Sequence, residues 1–152
     1  MAGVYTYAAD AVQIIVGGVP ISGLADGTFV SISRDEQAYN KVTGADGSTS
    51  RAKTANRAGA ITLTVQQTSP SNDVLSGFMI ADEAGDNGVV PVLIKDTSGR
   101  TLHYASAAWV QQMPDQDFSK GIEDREWVLD CARIDAFVGG NPQQTGGNGG
   151  TD

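Results

Sequence analysis

Alternating apolar and polar residues mark two segments of the chain as β-strands. In AITLTVQQ, residues 60–67, Ile61, Leu63 and Val65 fall on one face, while threonine and glutamine fall on the other. TFVSISRD, residues 28–35, repeats the same period of two. Successive side chains of a strand point to opposite faces, so each segment is expected to bury one face and expose the other.

Three further apolar segments complete the strand prediction. AVQIIVGGVPISG, residues 11–23, predicts a strand, a break at the Gly-Gly step and a second strand, in which Pro20 argues against a central position. Residues 89–113 predict a hairpin that turns at DTSG. REWVLDCARIDAFVGG, residues 125–140, predicts a closing strand. One face of that strand is expected to carry Trp127, Leu129, Cys131 and Phe137.

A helical period follows the segment 60–67. Val74, Leu75, Phe78 and Met79 recur at the spacing of one helix face, and Ser71 or Asn72 is placed to cap the helix. The apolar stripe needs a partner, most simply an open side of the sheet.

The segment GADGSTSRAKTANRAG, residues 44–59, has no periodic apolar signal and is predicted to be a long polar loop between early strands. Together these patterns predict a mainly β fold, a small barrel or sandwich of about seven strands with one α-helix packed on it. Residues 1–140 form the predicted single domain, and the glycine-rich residues 141–152 form a predicted flexible tail.

Charge narrows the possible functions. The chain of 152 residues has a formal net charge of -8, so its surface as a whole is expected to repel a phosphate backbone. Thirteen of the eighteen acids lie in residues 71–152, whereas Arg51, Lys53 and Arg57 lie in the polar loop. The N-terminal sequence has neither a basic region nor a long apolar run, which favours synthesis in the cytoplasm.

Candidate chemical sites are incomplete. The polar loop does not match the phosphate-binding G-x-x-x-x-G-K-[ST] motif. The segment from Asp115 to Glu126 has oxygen ligands at calcium-loop spacing, but Lys120 stands where the glycine is required. Cys131 and His103, the single cysteine and histidine, supply neither a zinc ligand set nor a nucleophilic site with a third, orienting group. No cofactor is expected.

The long segment GGVPISGLADGTFVSISRDEQAYNKVTGADGSTSRAKTANRAGAITLTVQQTSPSND, residues 17–73, resembles the tail tube proteins of contractile-tailed bacteriophages. The resemblance covers the early strands, the basic SRAKTANRAG segment and the start of the helix. It implies a β-barrel or sandwich core with one helix, hexameric rings closed by edge-strand pairing, and rings that stack into a hollow tube.

Assembly partners follow from the same resemblance. The loop 44–59 is expected to be an inter-subunit arm, with Arg51, Lys53 and Arg57 meeting acids of a neighbouring copy. The N-terminal segment, with Tyr5 and Tyr7, is expected to contact adjacent subunits. The tube is expected to meet the tail sheath, tape-measure, baseplate and tail-terminator proteins, and DNA is expected to pass through its lumen without specific binding.

Two function classes stay open at this point. The first is a structural, non-enzymatic virion protein of the phage tail, or the equivalent tube of a phage-like injection device. The second is a small β-barrel binding module for calcium or carbohydrate that uses residues 115–126.

Overall fold

The computed structural model of the chain describes residues 3–144, which form twelve strands, a short 3-10 helix and one α-helix. In chain order these are β1 (Val4–Tyr5), the 3-10 helix (Ala9–Ala11), β2 (Val12–Val16), β3 (Val19–Pro20), β4 (Val30–Arg34), β5 (Tyr39–Thr43), β6 (Thr49–Lys53), β7 (Gly59–Gln66), α1 (Ser71–Gly85), β8 (Val90–Asp96), β9 (Leu102–Gln112), β10 (Asp124–Cys131), β11 (Asp135–Phe137) and β12 (Gln143–Gln144).

One antiparallel sheet dominates the molecule. Its strand order is β3-β2-β8-β9-β10-β7-β4, and β11 also pairs with β9, so that the sheet has eight strands. Two separate pairs, β1 with β12 and β5 with β6, complete the strand pairing of the described residues. The prediction of a mainly β fold with one helix is therefore confirmed.

The core lies on one face of this sheet, where the predicted alternation holds. Ile61, Leu63 and Val65 of β7 are buried, as are Trp127 and Leu129 of β10. Burying a large apolar side chain contributes about 1.5 to 3 kcal/mol, so these two neighbouring strands supply much of the stability. Helix α1 covers the same core with buried Leu75 and the partly buried Phe78 and Met79.

The start of α1 differs from the prediction. Its N-cap is Pro70, which makes no side-chain capping bond, so the prediction of Ser71 or Asn72 as the cap is wrong. The hydroxyl of Ser71 instead accepts a hydrogen bond from the Ser22 amide at 2.9 Å. The side-chain oxygen of Asn72 accepts one from Trp127 Nε1, also at 2.9 Å. Ser71 thus joins the helix to the segment that follows β3, and Asn72 joins it to β10.

The closing strand is not continuous, because the chain bends at residues 132–134 between β10 and β11. The Ile134 amide donates to the Arg57 carbonyl at 2.9 Å, and the Ile134 side chain is buried. The bend resets the alternation, so that Phe137 lies opposite Leu102 and is 61% exposed. The prediction that Phe137 shares the buried face of Trp127, Leu129 and Cys131 is wrong.

The two ends of the sheet are edge strands. The strand-break-strand prediction for residues 11–23 is confirmed, and Pro20 lies in the edge strand β3, where a missing N–H is tolerated.

Of the predicted tail 141–152, Gln143 and Gln144 pair with Tyr5 and Val4, and residues 145–152 lie outside the described residues. Within residues 3–144, no helix is both long and apolar enough to span a bilayer.

Candidate functional site

The predicted polar loop is a β-hairpin for much of its length, which corrects the sequence prediction. Strands β5 and β6 pair antiparallel. Tyr39 lies opposite Lys53 at one end of the pair, and Thr43 lies opposite Thr49 at the other. The hairpin was missed because neither strand faces the core, so neither carries an apolar alternation. The Asp-Gly step at residues 46–47, a common hairpin-turn signal, could have identified it.

Short-range hydrogen bonds hold the turn of the hairpin. The Gly44 amide donates to the Ser48 carbonyl at 2.8 Å, and the Ser48 hydroxyl donates to Asp46 Oδ1 at 2.7 Å. The hydrogen bonds from Ser48 lower the pKa of the Asp46 carboxyl. Gly47 has a φ of +87°, which side-chain-bearing residues rarely adopt. The turn is therefore defined by its own sequence.

The hairpin projects from the body of the protein. Every residue from 33 to 53 is exposed, including all ten residues of β5 and β6. The hairpin leaves the sheet between β4 and β7, which are paired neighbours. Its base is closed by hydrogen bonds from the Asp35 amide to the Ala58 carbonyl and from the Thr54 amide to the Ala38 carbonyl. The projecting arm is thus attached to two paired strands of the sheet.

One face of the hairpin is basic. The register places Tyr39 opposite Lys53 and Lys41 opposite Arg51, and directly opposed residues of an antiparallel pair share a face. The Arg51 guanidinium lies 4.2 Å from the centroid of the Tyr39 ring. Two cations directly opposite each other repel, so this face favours an external anion. We call these four residues the basic face of the hairpin.

Sequence inspection identified only part of this surface. Arg51 and Lys53 lie on the basic face, but Lys41 was not predicted, although it follows Tyr39 by the two-residue period of a strand. Arg57 is half-buried beyond the end of β6, where it lines an open 410 Å³ hollow together with Lys53 and Arg133. The three predicted cations are therefore neighbours along one arm and its base.

These cations lack intramolecular acid partners among the described residues. Within residues 3–144 the single salt bridge joins Arg133 to Asp135 at 3.0 Å. Arg51, Lys53 and Arg57 therefore have no carboxylate of their own chain at ion-pair distance in that range.

The predicted N-terminal contact residues are accessible. Tyr5 of β1 is 64% exposed, and Tyr7, which follows it, is 59% exposed. Tyr7 also lines a shallow 320 Å³ hollow with Phe29 and Val30. Exposed aromatic side chains are typical of protein contact surfaces.

The outward side of the sheet forms a second surface, which we call the polar face. By register, it comprises alternate residues of β4, β7 and β10: Ser31, Ser33, Ala60, Thr62, Thr64, Gln66, Asp124, Glu126, Val128 and Asp130. None of these outward positions in the three described strands is Lys or Arg. Thr28, Ser31, Thr62, Thr64 and Glu126 line a 320 Å³ hollow on it. The polar face is therefore rich in hydroxyls and carboxylates.

Cys131 and His103 are not brought together. Cys131 pairs with Ala108 of β9, five residues from His103, a separation of about 17 Å along the strand. Burial, followed by the nearby Asp130 and Asp35 carboxylates, raises the pKa of the Cys131 thiol to about 11. Burial also lowers the pKa of His103. This geometry does not build a nucleophilic site.

The possible calcium ligands of residues 115–126 do not converge either. Glu126 lies within β10 opposite Thr64, on the polar face. Ser119 donates its hydroxyl hydrogen to Glu123 at 2.9 Å. Among residues 3–144, no group of three or more His, Cys, Asp or Glu side chains is placed to hold a metal ion.

Comparisons with known proteins place this architecture in a family. Residues 10–139 match the family described as Bacteriophage PhiTE tail tube protein. Structural protein ORF10 of Pseudomonas phage KPP10 is 31% identical over 144 residues, which cover 90% of this chain and 83% of that protein.

Solved structures share the fold at lower identity. The tube-terminating cap of the anti-feeding prophage matches with a TM-score of 0.64 and 15% identity, covering 91% of this chain and 95% of its own. A chain of the PVC extracellular contractile injection system, from its sheath-tube complex in the extended state, matches with a TM-score of 0.61 and 18% identity, covering 88% and 93%. Because the family match spans most of the described residues, the chain belongs to the phage tail tube protein family and is a structural protein of the virion tail.

Proposed function

We propose that this protein forms hexameric rings that stack into the hollow inner tube of a contractile phage tail, through which DNA is ejected into the host. It acts as a structural subunit without catalytic activity. Its partners are other copies of itself, the tail sheath, the tape-measure protein, and the baseplate and tail-terminator proteins. Membership of the tail tube family supports this role, and the structures with the same fold come from tube-containing assemblies.

The observation that carries the proposal is the exposed hairpin. All fifteen residues of the hairpin, 39–53, are exposed, and they present three cations from a protein of net charge -8. A second copy offers many carboxylates to Lys41, Arg51 and Lys53. Each exposed ion pair contributes only about 0 to 1 kcal/mol, but repetition around a ring multiplies the total and fixes the register.

The edges of the main sheet support ring closure. β4 and β3 each have a neighbouring strand on one side only in the sheet of the described residues. An open edge presents unpaired backbone groups, and pairing between copies of one chain satisfies them. A closed ring of copies pairs every such edge, whereas an open assembly leaves the edges at its two ends unpaired. Tyr5 and Tyr7 provide further contact area to an adjacent subunit.

The polar face is suited to line the tube. Asp124, Glu126 and Asp130 repel the phosphates of DNA, and the Ser and Thr hydroxyls keep the surface wetted. DNA that must slide through a tube should not be held by cations, because phosphate contacts dominate nucleic-acid affinity. We therefore assign the polar face to the lumen and the opposite side, with α1, to the outside.

Electron microscopy of purified protein tests assembly. Rings or tubes with six-fold cross-section are expected, and a protein that stays monomeric at every concentration would contradict the proposal. Arg51→Glu, Lys53→Glu and Arg57→Glu combined should abolish or strongly reduce stacking while the monomer remains folded. The matched control is Lys95→Glu, Arg100→Glu and Lys120→Glu, which changes the net charge equally at exposed positions outside the arm.

A second experiment tests the lumen assignment. Asp124→Lys, Glu126→Lys and Asp130→Lys combined should yield tubes that retain added DNA at low salt and release it at high salt. Asp73→Lys and Glu83→Lys on α1, with Asp86→Lys at its C-cap, are exposed positions away from the polar face and form the control with the same charge change. Equal DNA retention by both triple variants would refute the placement of the polar face.

A further inference from the structure

A small cavity of 290 Å³ lies where the first turns of α1 meet the connection between β9 and β10. It is lined by Arg125 and Trp127 from the core face of β10, by Ser76 of α1, and by Phe118 of the connection. None of its lining residues belongs to the hairpin or the polar face, so it is a separate feature of the molecule.

Arg125 is a buried cation in the wall of this cavity. Its side chain is only 6% exposed, and it donates to the carbonyls of Asp117 at 3.2 Å and Asp124 at 3.4 Å. The guanidinium lies 5.3 Å from the centroid of the Phe118 ring. No carboxylate of residues 3–144 forms a salt bridge with it. A guanidinium has five N–H donors, and a charge removed from water is stabilised chiefly by an opposite charge.

The remaining wall is also suited to an anion. The Gln67 side-chain oxygen accepts from the Glu123 amide at 3.1 Å, which leaves its NH₂ group as a donor. Ser76 adds a hydroxyl, and no Asp or Glu lines the cavity. The Trp127 N–H is already bound by Asn72, so the indole contributes an apolar surface. A cation flanked by neutral donors and aromatic surfaces fits a single carboxylate, which accepts two parallel N–H bonds from arginine.

We propose that this cavity receives the carboxylate of an Asp or Glu side chain from a second copy of the chain, an inference that rests on the proposed self-assembly. The chain has eighteen acidic residues, and among the described ones Asp135 alone is in a salt bridge. The rim residues Met113 and Phe118 are 37% and 76% exposed. Arginine, methionine and aromatic residues are enriched at the centres of protein interfaces. The net charge of -8 opposes a nucleic-acid phosphate as the occupant.

Titration with glutarate tests the site directly. In a full-length Trp109→Phe background, Trp127 is the remaining tryptophan, and its fluorescence reports on the cavity it lines. Glutarate should change the Trp127 emission of the dilute protein, and Arg125→Gln should weaken the apparent affinity by about tenfold or more. Arg100→Gln, at an exposed site elsewhere, should leave the titration unchanged. No saturable response with Arg125 present would overturn the proposal.

Tube assembly is the second test, and it includes a variant that leaves the Arg125 hydrogen bonds intact. Ser76→Leu should fill the cavity from the helix side, and both it and Arg125→Gln should reduce tube formation while circular dichroism shows a folded chain. Excess glutarate should inhibit assembly of the unaltered protein. Glutarate binding without any effect on assembly would overturn the assignment to a second copy. Absence of rings or tubes from the unaltered protein would instead refute the proposed function, while the titration still reports on the site.

Discussion

β7 and the β5–β6 hairpin are consecutive in the chain but are stabilised in opposite ways. β7 buries every second residue and is paired on both sides, with β4 and β10. The hairpin buries none and is paired only with itself. The comparison separates residues that stabilise the folded subunit from residues that are available to a neighbour, and it predicts that mutations in the two regions have different effects.

The largest expected difference comes from matched truncations. Leu63→Ala removes a fully buried side chain from β7 and should lower the free energy of unfolding by about 2 to 5 kcal/mol. Val42→Ala truncates a side chain that is 70% exposed in the hairpin and should change it by less than about 0.5 kcal/mol. Urea unfolding of both variants measures the difference. Similar losses would show that the hairpin packs against the subunit.

A mutation at the junction of the two regions should have an intermediate effect on the free energy of unfolding. A Cβ at Gly59 would lie 2.7 Å from Ile134 Cδ1 and 3.0 Å from Arg34 Cα, and closer still to the Ser33 carbonyl oxygen. Gly59→Ala should therefore force the backbones of β4 and β7 apart and cost about 1 to 3 kcal/mol in the same urea experiment. Ala60→Gly, one residue along, is the control without a steric clash. An unchanged Gly59→Ala variant would mean that the close approach relaxes freely.

Removing the arm tests the comparison as a whole. The hydrogen bond from the Thr54 amide to the Ala38 carbonyl closes the base, so residues 39–53 can be replaced by a two-residue Asn-Gly turn. We expect the free energy of unfolding to change by less than about 1 kcal/mol, because nothing buried is lost. Tube assembly should be lost, as judged by electron microscopy and sedimentation. Normal tubes from this variant would remove the hairpin from the assembly contacts.

The smallest expected effect is a pH dependence of the stability, which arises from His103 in the sheet. Burial lowers the pKa of His103 in the folded chain, and its Nδ1 has no hydrogen-bond partner among the described residues. The unfolded chain, with an ordinary histidine pKa near about 6.5, therefore binds the proton more readily. His103 therefore leaves the free energy of unfolding unchanged above about pH 6.5. As the pH falls below that value toward the folded-state pKa, the folded chain loses stability.

Thermal unfolding between pH 5 and 8 measures this contribution. The melting temperature of the unaltered protein should fall more on acidification than that of His103→Gln, which cannot take up the proton. Parallel pH profiles for the two proteins would show that His103 is equally solvated in both states. Titrating carboxylates affect both proteins alike, so the difference between the profiles isolates the histidine.

The sequence predicted those strands that bury one face, because such burial requires apolar and polar residues to alternate along the chain. Ile61, Leu63 and Val65 sit as the alternation requires, because one face of β7 meets the core. The hairpin has no such constraint, so its strands were not recognised. Phe137 was assigned to the wrong face because its position depends on the bend at 132–134, where Ile134 turns inward under a hydrogen bond to a distant residue, Arg57.

The candidate sites show the same division. Arg51, Lys53 and Arg57 were identifiable from local charge alone, whereas Lys41 required knowledge of its cross-strand register with Arg51. Arg125 was not predicted as a site residue at all. It occupies a core-facing position of β10, and its burial depends on the connection that folds over it through the Asp117 carbonyl. Long-range contacts of this kind leave no local pattern in a sequence.

The buried Cys131 makes the molecule convenient to label. With its pKa near 11 and its side chain 2% exposed, this thiol stays protonated and shielded, so it reacts slowly with maleimides and oxidants near neutral pH. A cysteine introduced at an exposed site such as Ser50, in the hairpin, would therefore be modified selectively without removing the native one. Fluorophores or cross-linkers placed in this way can report distances between subunits in a growing particle, with the wild-type interior left intact.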